Sequence, residues 1–423
     1  MREWSLRRLY RESPNWRWSL RFFIFSAIMV LVIFAYQEMN EGDCEEQSYN
    51  GCILALTEAG LSKSVITIGG LNYPYSEFES IGLTPEQIKD IALKVKDIGK
   101  NNFDLGLSYF NLDKYAEAII FLNKSIHYNS SLEDSYHFIG ASYYFLENYN
   151  KSLESWDKEL KINPNSKLTW NNKGNTLFKL GQFNKSLESF NNALEIDPDF
   201  QAALYNKGII LFNLQKWEES LEAIDEFLMK NPSSKEAWNN KGNNLANLGN
   251  LNESIKAYEK SLEIDSNNVA VWHNKGIALF NLGRWDESLI SYNEALKLDP
   301  NFKDTLINKG VVLMNLGKFD DSIIIFERLL ELEPQNKKFW LNKGSSLFEI
   351  GKFQESIVAF DEAIELDNNF KDAWLNKGIA LFNLEKYRES IDSYNKVLEI
   401  EPTNKIALYN REIAIQELNN SKD

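Results

Sequence analysis

The chain has 423 residues and a formal net charge of −15. Six arginines against two glutamates give the first 21 residues a charge of +4, so the remainder carries −19, a poor match for a nucleic acid backbone. His127, His137 and His273 are scattered, and there is no Cys/His cluster, Walker loop or Gly-rich dinucleotide fingerprint, so no metal, cofactor, small-molecule substrate or catalytic constellation is expected.

Residues 1–21 form a basic segment. Phe22 to Tyr36 then read FFIFSAIMVLVIFAY, an uncharged run that Trp18, Ser19 and Leu20 extend toward membrane length, with Arg21 able to snorkel to the headgroups. The run predicts a transmembrane signal-anchor helix over 22–37. Arg2, Arg7, Arg8, Arg11, Arg17 and Arg21 precede it while Glu38, Glu41, Asp43, Glu45 and Glu46 follow it, which keeps the N-terminus cytoplasmic and the C-terminal bulk extracytoplasmic. A cleaved signal peptide has the same charge layout, with Ala35 before the cut, although Ile33 is a poor small-residue match; a buried helix of a soluble protein is the third reading.

Residues 38–98 read as an acidic extracytoplasmic linker. Cys44 and Cys52, the only cysteines, lie just past the anchor, where disulfides persist; a bridge and two free thiols fit the sequence equally. Residues 53–98 mix the short apolar runs ILAL and VITI with Gly69, Gly70 and Pro74, and no chemistry stands out. Thr84-Pro85-Glu86-Gln87 has the form of a helix start, and Ile88, Ile91, Ala92 and Val95 are spaced for a capping helix near 85–98.

From residue 99 the chain repeats. The stretch WHNKGIALFNL, Trp272 to Leu282, returns as WLNKGIALFNL, Trp374 to Leu384, after 102 residues, three periods of 34. Gly106, Gly140, Gly174, Gly208, Gly242, Gly276, Gly310, Gly344 and Gly378 recur every 34 residues without an insertion, defining nine units over 99–404. Four residues before the glycine lies an aromatic or leucine, as in Trp170, Trp238, Trp272, Trp340 and Trp374. Twelve after it comes Ala118 or a serine such as Ser186, Ser254, Ser288, Ser322, Ser356 and Ser390, and four further on an aromatic such as Phe190, Tyr258, Tyr292, Phe326, Phe360 or Tyr394. Proline closes many units, at Pro164, Pro198, Pro232, Pro300, Pro334 and Pro402.

This pattern resembles the tetratricopeptide repeat, a helix-turn-helix of the same length. The resemblance implies an all-α solenoid in which each helix pair covers the apolar face of the next, a right-handed superhelix with a concave binding surface, and a non-catalytic role. Serine stands where the family more often has alanine. Lys173, Lys207, Lys241, Lys275, Lys309, Lys343 and Lys377 stand where it prefers leucine, their stems packing while the ammonium reaches water. Residues 405–423 start like a unit, with Leu408, Tyr409 and Asn410, but Glu412 replaces the glycine, as in a polar C-terminal capping helix.

At 100° per residue the first helix of a unit packs through the positions of Trp374, Gly378 and Leu381, so the opposite face carries Asp372, Asn376, Ile379 and Asn383. On that face Asn172, Asn206, Asn240, Asn274, Asn308, Asn342, Asn376 and Asn410 form a ladder of amides. Asn213, Asn247, Asn281, Asn315 and Asn383 form a less regular second rail. An amide offers one acceptor and two donors, which complement an extended peptide backbone whatever its side chains. The competing reading gives the first ladder an interhelical structural role, and both are compatible. Phe178, Phe212, Phe280, Phe348 and Phe382 lie at the groove edge as pockets or core. The lysine clamp that some family members use for a C-terminal carboxylate has no counterpart, since Asn171, Tyr205, Asn239, His273 and Ile307 hold those positions.

Sequons begin at Asn123, Asn129, Asn150, Asn184, Asn252 and Asn419 and would be available if the array is exported. The expected function is a membrane-anchored scaffold binding partner proteins or extended peptides in its groove. The alternative is an accessory subunit presenting substrates to an envelope glycosyltransferase or an export or assembly machine. An enzyme in its own right is disfavoured, because after the nine units only residues 405–423 remain.

Overall fold

A computed structural model describes residues 99–128 and 133–420, with three short segments at 54–56, 65–68 and 71–74. The expected transmembrane helix at 22–37, Cys44 and Cys52, and the expected capping helix near 85–98 lie outside the described residues. Among the described residues no helix is long and apolar enough to cross a membrane.

The three short segments are strands β1 (Leu54–Leu56), β2 (Val65–Ile68) and β3 (Leu71–Pro74), so the expectation of an all-α chain needs amending before residue 99. They form an antiparallel sheet in the order β1-β2-β3, with Ile68 opposite Leu71. The run VITI is wholly β-branched but LAL has no β-branched residue, a weak signal without alternation to support it.

Everything described from 99 onward is helix and tight turn. The helices group into two compact units, divided after Ile210. The first contains α1 (99–111), α2 (Tyr115–Tyr128), α3 (Glu133–Phe145), α4 (Tyr149–Ile162), α5 (Lys167–Lys179) and α6 (Phe183–Ile196), and the division falls in α7 (Gln201–Asn213). The second contains α8 (Trp217–Lys230), α9 (Lys235–Asn247), α10 (Leu251–Ile264), α11 (Val269–Asn281), α12 (Trp285–Leu298), α13 (Lys303–Asn315) and α14 (Phe319–Leu332). It continues with α15 (Lys337–Glu349), α16 (Phe353–Leu366), α17 (Lys371–Asn383), α18 (Tyr387–Ile400) and α19 (Lys405–Asn420). Odd-numbered helices are the A helix of each repeat and even-numbered helices the B helix.

Most repeats are locked by a ring against a glycine, and in the first Leu122 takes the ring's place on Gly106. Phe190, Tyr258, Tyr292, Phe326, Phe360 and Tyr394, all on B helices, are almost completely buried and lie on Gly174, Gly242, Gly276, Gly310, Gly344 and Gly378 of the paired A helix. A Cβ on Gly344 would sit 2.6 Å from Phe360 Cε1, and one on Gly378 2.6 Å from Tyr394 Cε1. A methyl there has no room unless the ring moves, which explains why the period never drifts. The serine twelve residues after the glycine does more than allow close packing. Ser152, Ser186, Ser254, Ser288, Ser322 and Ser390 donate to the carbonyls of Gly140, Gly174, Gly242, Gly276, Gly310 and Gly378, over 2.7–3.2 Å, bonds that alanine lacks.

The turn from A to B helix requires a left-handed residue seven after the conserved glycine. Gly181, Gly249, Gly283, Gly317 and Gly351 fill it at φ 69–78°, while Asp113, Glu147, Gln215 and Glu385 take the same conformation with a side chain at φ 57–61°. Helix starts vary as well: Ser166, Ser234 and Asn268 cap their helices through the side chain, whereas Phe302 and Phe370 do not. The terminal helix α19 departs from the polar cap expected. Leu408, Tyr409 and Ile415 are exposed on it, at A-helix positions that a following helix covers in earlier repeats but no described helix covers here.

The left-handed turns generate one prediction: Glu385→Gly should raise stability by about 1 kcal/mol and Gly283→Glu lower it by about 1–2 kcal/mol, read by urea denaturation, since a left-handed non-glycine residue costs that much. The buried rings generate another. Burial pushes the phenols of Tyr258 and Tyr292 up to about 12, above the value of about 10 in an unfolded chain. Their contribution to stability is complete below pH 10 and is lost as pH rises through 12, because the unfolded state releases the proton first. The expected outcome is a fall in Tm between pH 10 and 12 that is shallower in the double variant Tyr258→Phe/Tyr292→Phe than in the parent chain.

Candidate binding surface

The ladder asparagines sit two residues before each conserved glycine, on the side of the A helix away from the buried ring. Asn172, Asn206, Asn240, Asn274, Asn308, Asn342, Asn376 and Asn410 are all half-buried. Half-burial follows from their register: one edge of the A helix touches the A helix of the preceding repeat. Asn206 Nδ2 donates to Asn171 Oδ1 (3.0 Å), Asn274 Nδ2 to Asn243 Oδ1 (3.1 Å) and Asn376 Nδ2 to Ser345 Oγ (3.5 Å). Asn308 and Asn410 bond the phenols of Tyr292 and Tyr394. Five of the eight asparagines therefore tie their A helix to the one before it or to the ring of the preceding B helix. An amide has three bonding capacities, so one interhelical bond leaves others for a further group.

The second rail differs. Asn213, Asn247, Asn281, Asn315 and Asn383 are exposed at the C-terminal end of the A helices. Asn247, Asn315 and Asn383 each donate Nδ2 to the carbonyl four residues back, those of Asn243, Val311 and Ile379, over 2.8–2.9 Å. That bond fixes the rotamer and turns the carboxamide oxygen away from its own helix. Phe178, Phe348 and Phe382 are partly buried and pack on Phe183, Phe353 and Tyr387, the first residues of their B helices, with ring centroids 5.2–5.7 Å apart. Phe212 and Phe280 are likewise partly buried.

At the positions of the absent lysine clamp, Asn171 is buried and Tyr205, Asn239, His273 and Ile307 are half-buried. His273 Nδ1 lies 2.8 Å from Thr305 Oγ1, and burial pulls its imidazole below the usual histidine range. Among the described residues no group of His, Cys, Asp and Glu is arranged to hold a metal ion. The sequon asparagines Asn123, Asn150, Asn184, Asn252 and Asn419 are exposed, and Asn129 lies outside the described residues.

An arrangement that the sequence reading missed lies on the other edge of the A helix. Lys173, Lys241, Lys275, Lys343 and Lys377 each lie over a tryptophan three residues back, Trp170, Trp238, Trp272, Trp340 and Trp374, at 4.9–5.5 Å from the ring centre. Each also pairs at 2.5–2.9 Å with a carboxylate of the preceding B helix, respectively Asp157, Asp225, Glu259, Glu327 and Asp361. The ring below is itself fixed: the indole N–H of each tryptophan donates to the backbone carbonyl six residues earlier, over 2.8–3.0 Å. The lysines thus stitch repeat to repeat. The signal in the sequence was an acid sixteen residues before the lysine, present only where tryptophan is.

Several solved structures share this fold at low identity. The peptide-binding tetratricopeptide repeat protein YrrB is 22% identical over 45% of this chain and 99% of its own, with a TM-score of 0.42. MamA of Desulfovibrio magneticus is 19% identical over 40% of this chain and 97% of its own (TM-score 0.39). A tetratricopeptide repeat protein of Parabacteroides merdae is 14% identical over 59% and 99% (TM-score 0.43). No curated protein matches the sequence. Models described as tetratricopeptide repeat match residues 168–200, 372–404, 269–302, 307–369 and 100–131, and one described as TPR repeat matches 242–283. With matches from residue 100 to residue 404, in register with the 34-residue period, the chain belongs to the tetratricopeptide repeat family.

Proposed function

We propose that this chain is a non-catalytic scaffold, held at a membrane by its N-terminal apolar segment, that takes partner proteins or extended peptides on the open face of its A helices. The observation that carries the reading is the second rail of five exposed amides, of which Asn247, Asn315 and Asn383 are pinned to their own helices with their oxygens turned outward. Backbone N–H groups of an extended peptide are the natural complement, since they recur in every sequence. The half-buried ladder adds residual bonding capacity beside it. YrrB, whose structure is described as carrying an unusual peptide-binding site, is in keeping with this use of the repeat. The membrane tether rests on the run from Phe22 to Tyr36 and the arginines before it, and the acidic repeats then lie outside the cytoplasm.

Photocrosslinking in the native membrane from a probe at Asn281 should yield protein or peptide adducts that the variant Asn247→Ala/Asn315→Ala/Asn383→Ala loses, with its Tm unchanged, because those side chains are exposed. Asn274→Ala should behave differently, lowering stability by about 1 kcal/mol through its bond to Asn243. Adducts that survive the triple substitution, or a Tm that collapses with it, would remove the amide face from the account.

A further inference from the structure

Two lysines break the stitching described above. Lys207 and Lys309 occupy the same place as the five paired lysines, yet among the described residues neither makes an ion pair or side-chain hydrogen bond. The reason is a double replacement: leucine (Leu204, Leu306) stands for the tryptophan, and asparagine (Asn191, Asn293) for the acid sixteen residues back. At Lys309 the consequences are visible. The side chain is half-buried, and burial pulls its ammonium below the usual lysine range. It lines an open cleft of about 440 Å³ with Ile290, Asn293, Glu294, Leu296 and Lys297.

The neighbouring surface is unusual for an outer helix face. Fourteen residues after the conserved glycine, most repeats carry a charged residue: Glu154, Glu188, Glu222, Lys256 and Asp392. Three consecutive repeats around Lys309 carry Ile290, Ile324 and Val358 instead, exposed at 59%, 61% and 55%. Ile290 is also a wall of the cleft. Arg328, one helical turn beyond Ile324 and so on the same face of α14, adds its positive field at Lys309, while Asp321 opposes it from the start of that helix. Glu294 is engaged by Lys297 at 2.5 Å. Lys207 lacks the apolar part, since Glu188 takes the corresponding place.

We propose that the outer faces of α12, α14 and α16 form a second docking surface, separate from the A-helix amides, for a partner segment that presents one carboxylate between aliphatic side chains. The aliphatic groups cover Ile290, Ile324 and Val358, and the carboxylate takes on Lys309 the place that Asp or Glu holds in the five stitched repeats. A half-buried ammonium with no ion-pair partner among the described residues, beside an apolar strip, supplies the charge complementarity for that occupant and disfavours a cationic one. The charge of −19 on the chain beyond residue 21 argues against an anionic membrane surface as the occupant.

The test uses the full chain and a labelled synthetic peptide with a single central glutamate flanked by leucine and isoleucine, compared by fluorescence anisotropy with its glutamine twin. The glutamate peptide should bind about tenfold more tightly than the twin. Asn293→Asp, which installs the acid found in the stitched repeats, should satisfy Lys309 internally and reduce the glutamate peptide to the level of the twin, with the helical circular dichroism unchanged. Ile324→Glu should weaken both peptides. Equal binding of the twins, no saturable binding of either, undiminished binding by Asn293→Asp, or binding of phosphatidylglycerol vesicles in preference to the peptide would each overturn the proposal.

Discussion

The contact on which the molecule depends is an aromatic ring seated on a glycine. In seven repeats the B helix places a Phe, Tyr or Trp directly over the one A-helix residue without a side chain, as Trp156 does over Gly140, and in the first repeat Leu122 does the same over Gly106. This closeness makes the helix pair a rigid unit and fixes the rotation of the A helix about its own axis. Nothing else in the repeat is so restricted. The Trp position is sometimes leucine, the turn glycine is sometimes charged, and the caps come and go, while the glycine stays and a large apolar side chain, aromatic in seven of the nine units, stands sixteen residues after it.

Fixing the A helix in this way determines what each of its other faces does. The edge beside the ring carries lysine and tryptophan, which bind one repeat to the last through carboxylates of the preceding B helix. Such partly exposed ion pairs contribute little individually, and each here is stacked on an indole that is itself hydrogen-bonded, so geometry rather than Coulomb attraction is their main product. The opposite edge carries the half-buried asparagines that tie A helix to A helix. Only the face between these edges and the solvent remains free, and it presents the second rail. The rail proposed for binding and the structural residues are therefore neighbours on one helix, separated by a few tens of degrees.

The repeat length, the helix pair, the buried rings and the polar A-helix face were all legible in the sequence, because a 34-residue period repeated nine times makes each position its own control. The ladder's bonds were not. Asn274 and Asn376 reach Asn243 and Ser345 in the preceding repeat, partners that sit one residue after its glycine and are polar in only some repeats. The lysines read as solvated heads because their carboxylates lie on a different helix, at a spacing that only the stacking of repeats brings together. The short strands at 54–74 were hidden for the opposite reason: they occur once, with no repetition to separate pattern from chance. The exposure of Tyr409 and Ile415 of α19 was not legible because their residue types match covered A-helix positions elsewhere.

The acidic character of the array fits the proposed reception of peptide backbone rather than phosphate, and the break at Lys309 shows how two coordinated replacements leave a half-buried lysine without its ion pair. The central claim is that the A-helix face receives the partner. Hydrogen exchange of the full chain, with and without its crosslinked partner, tests it most directly. The account predicts added protection concentrated in Lys235–Asn247, Val269–Asn281 and Lys303–Asn315, the A helices α9, α11 and α13. Protection confined to B helices, or none in these three, would contradict it.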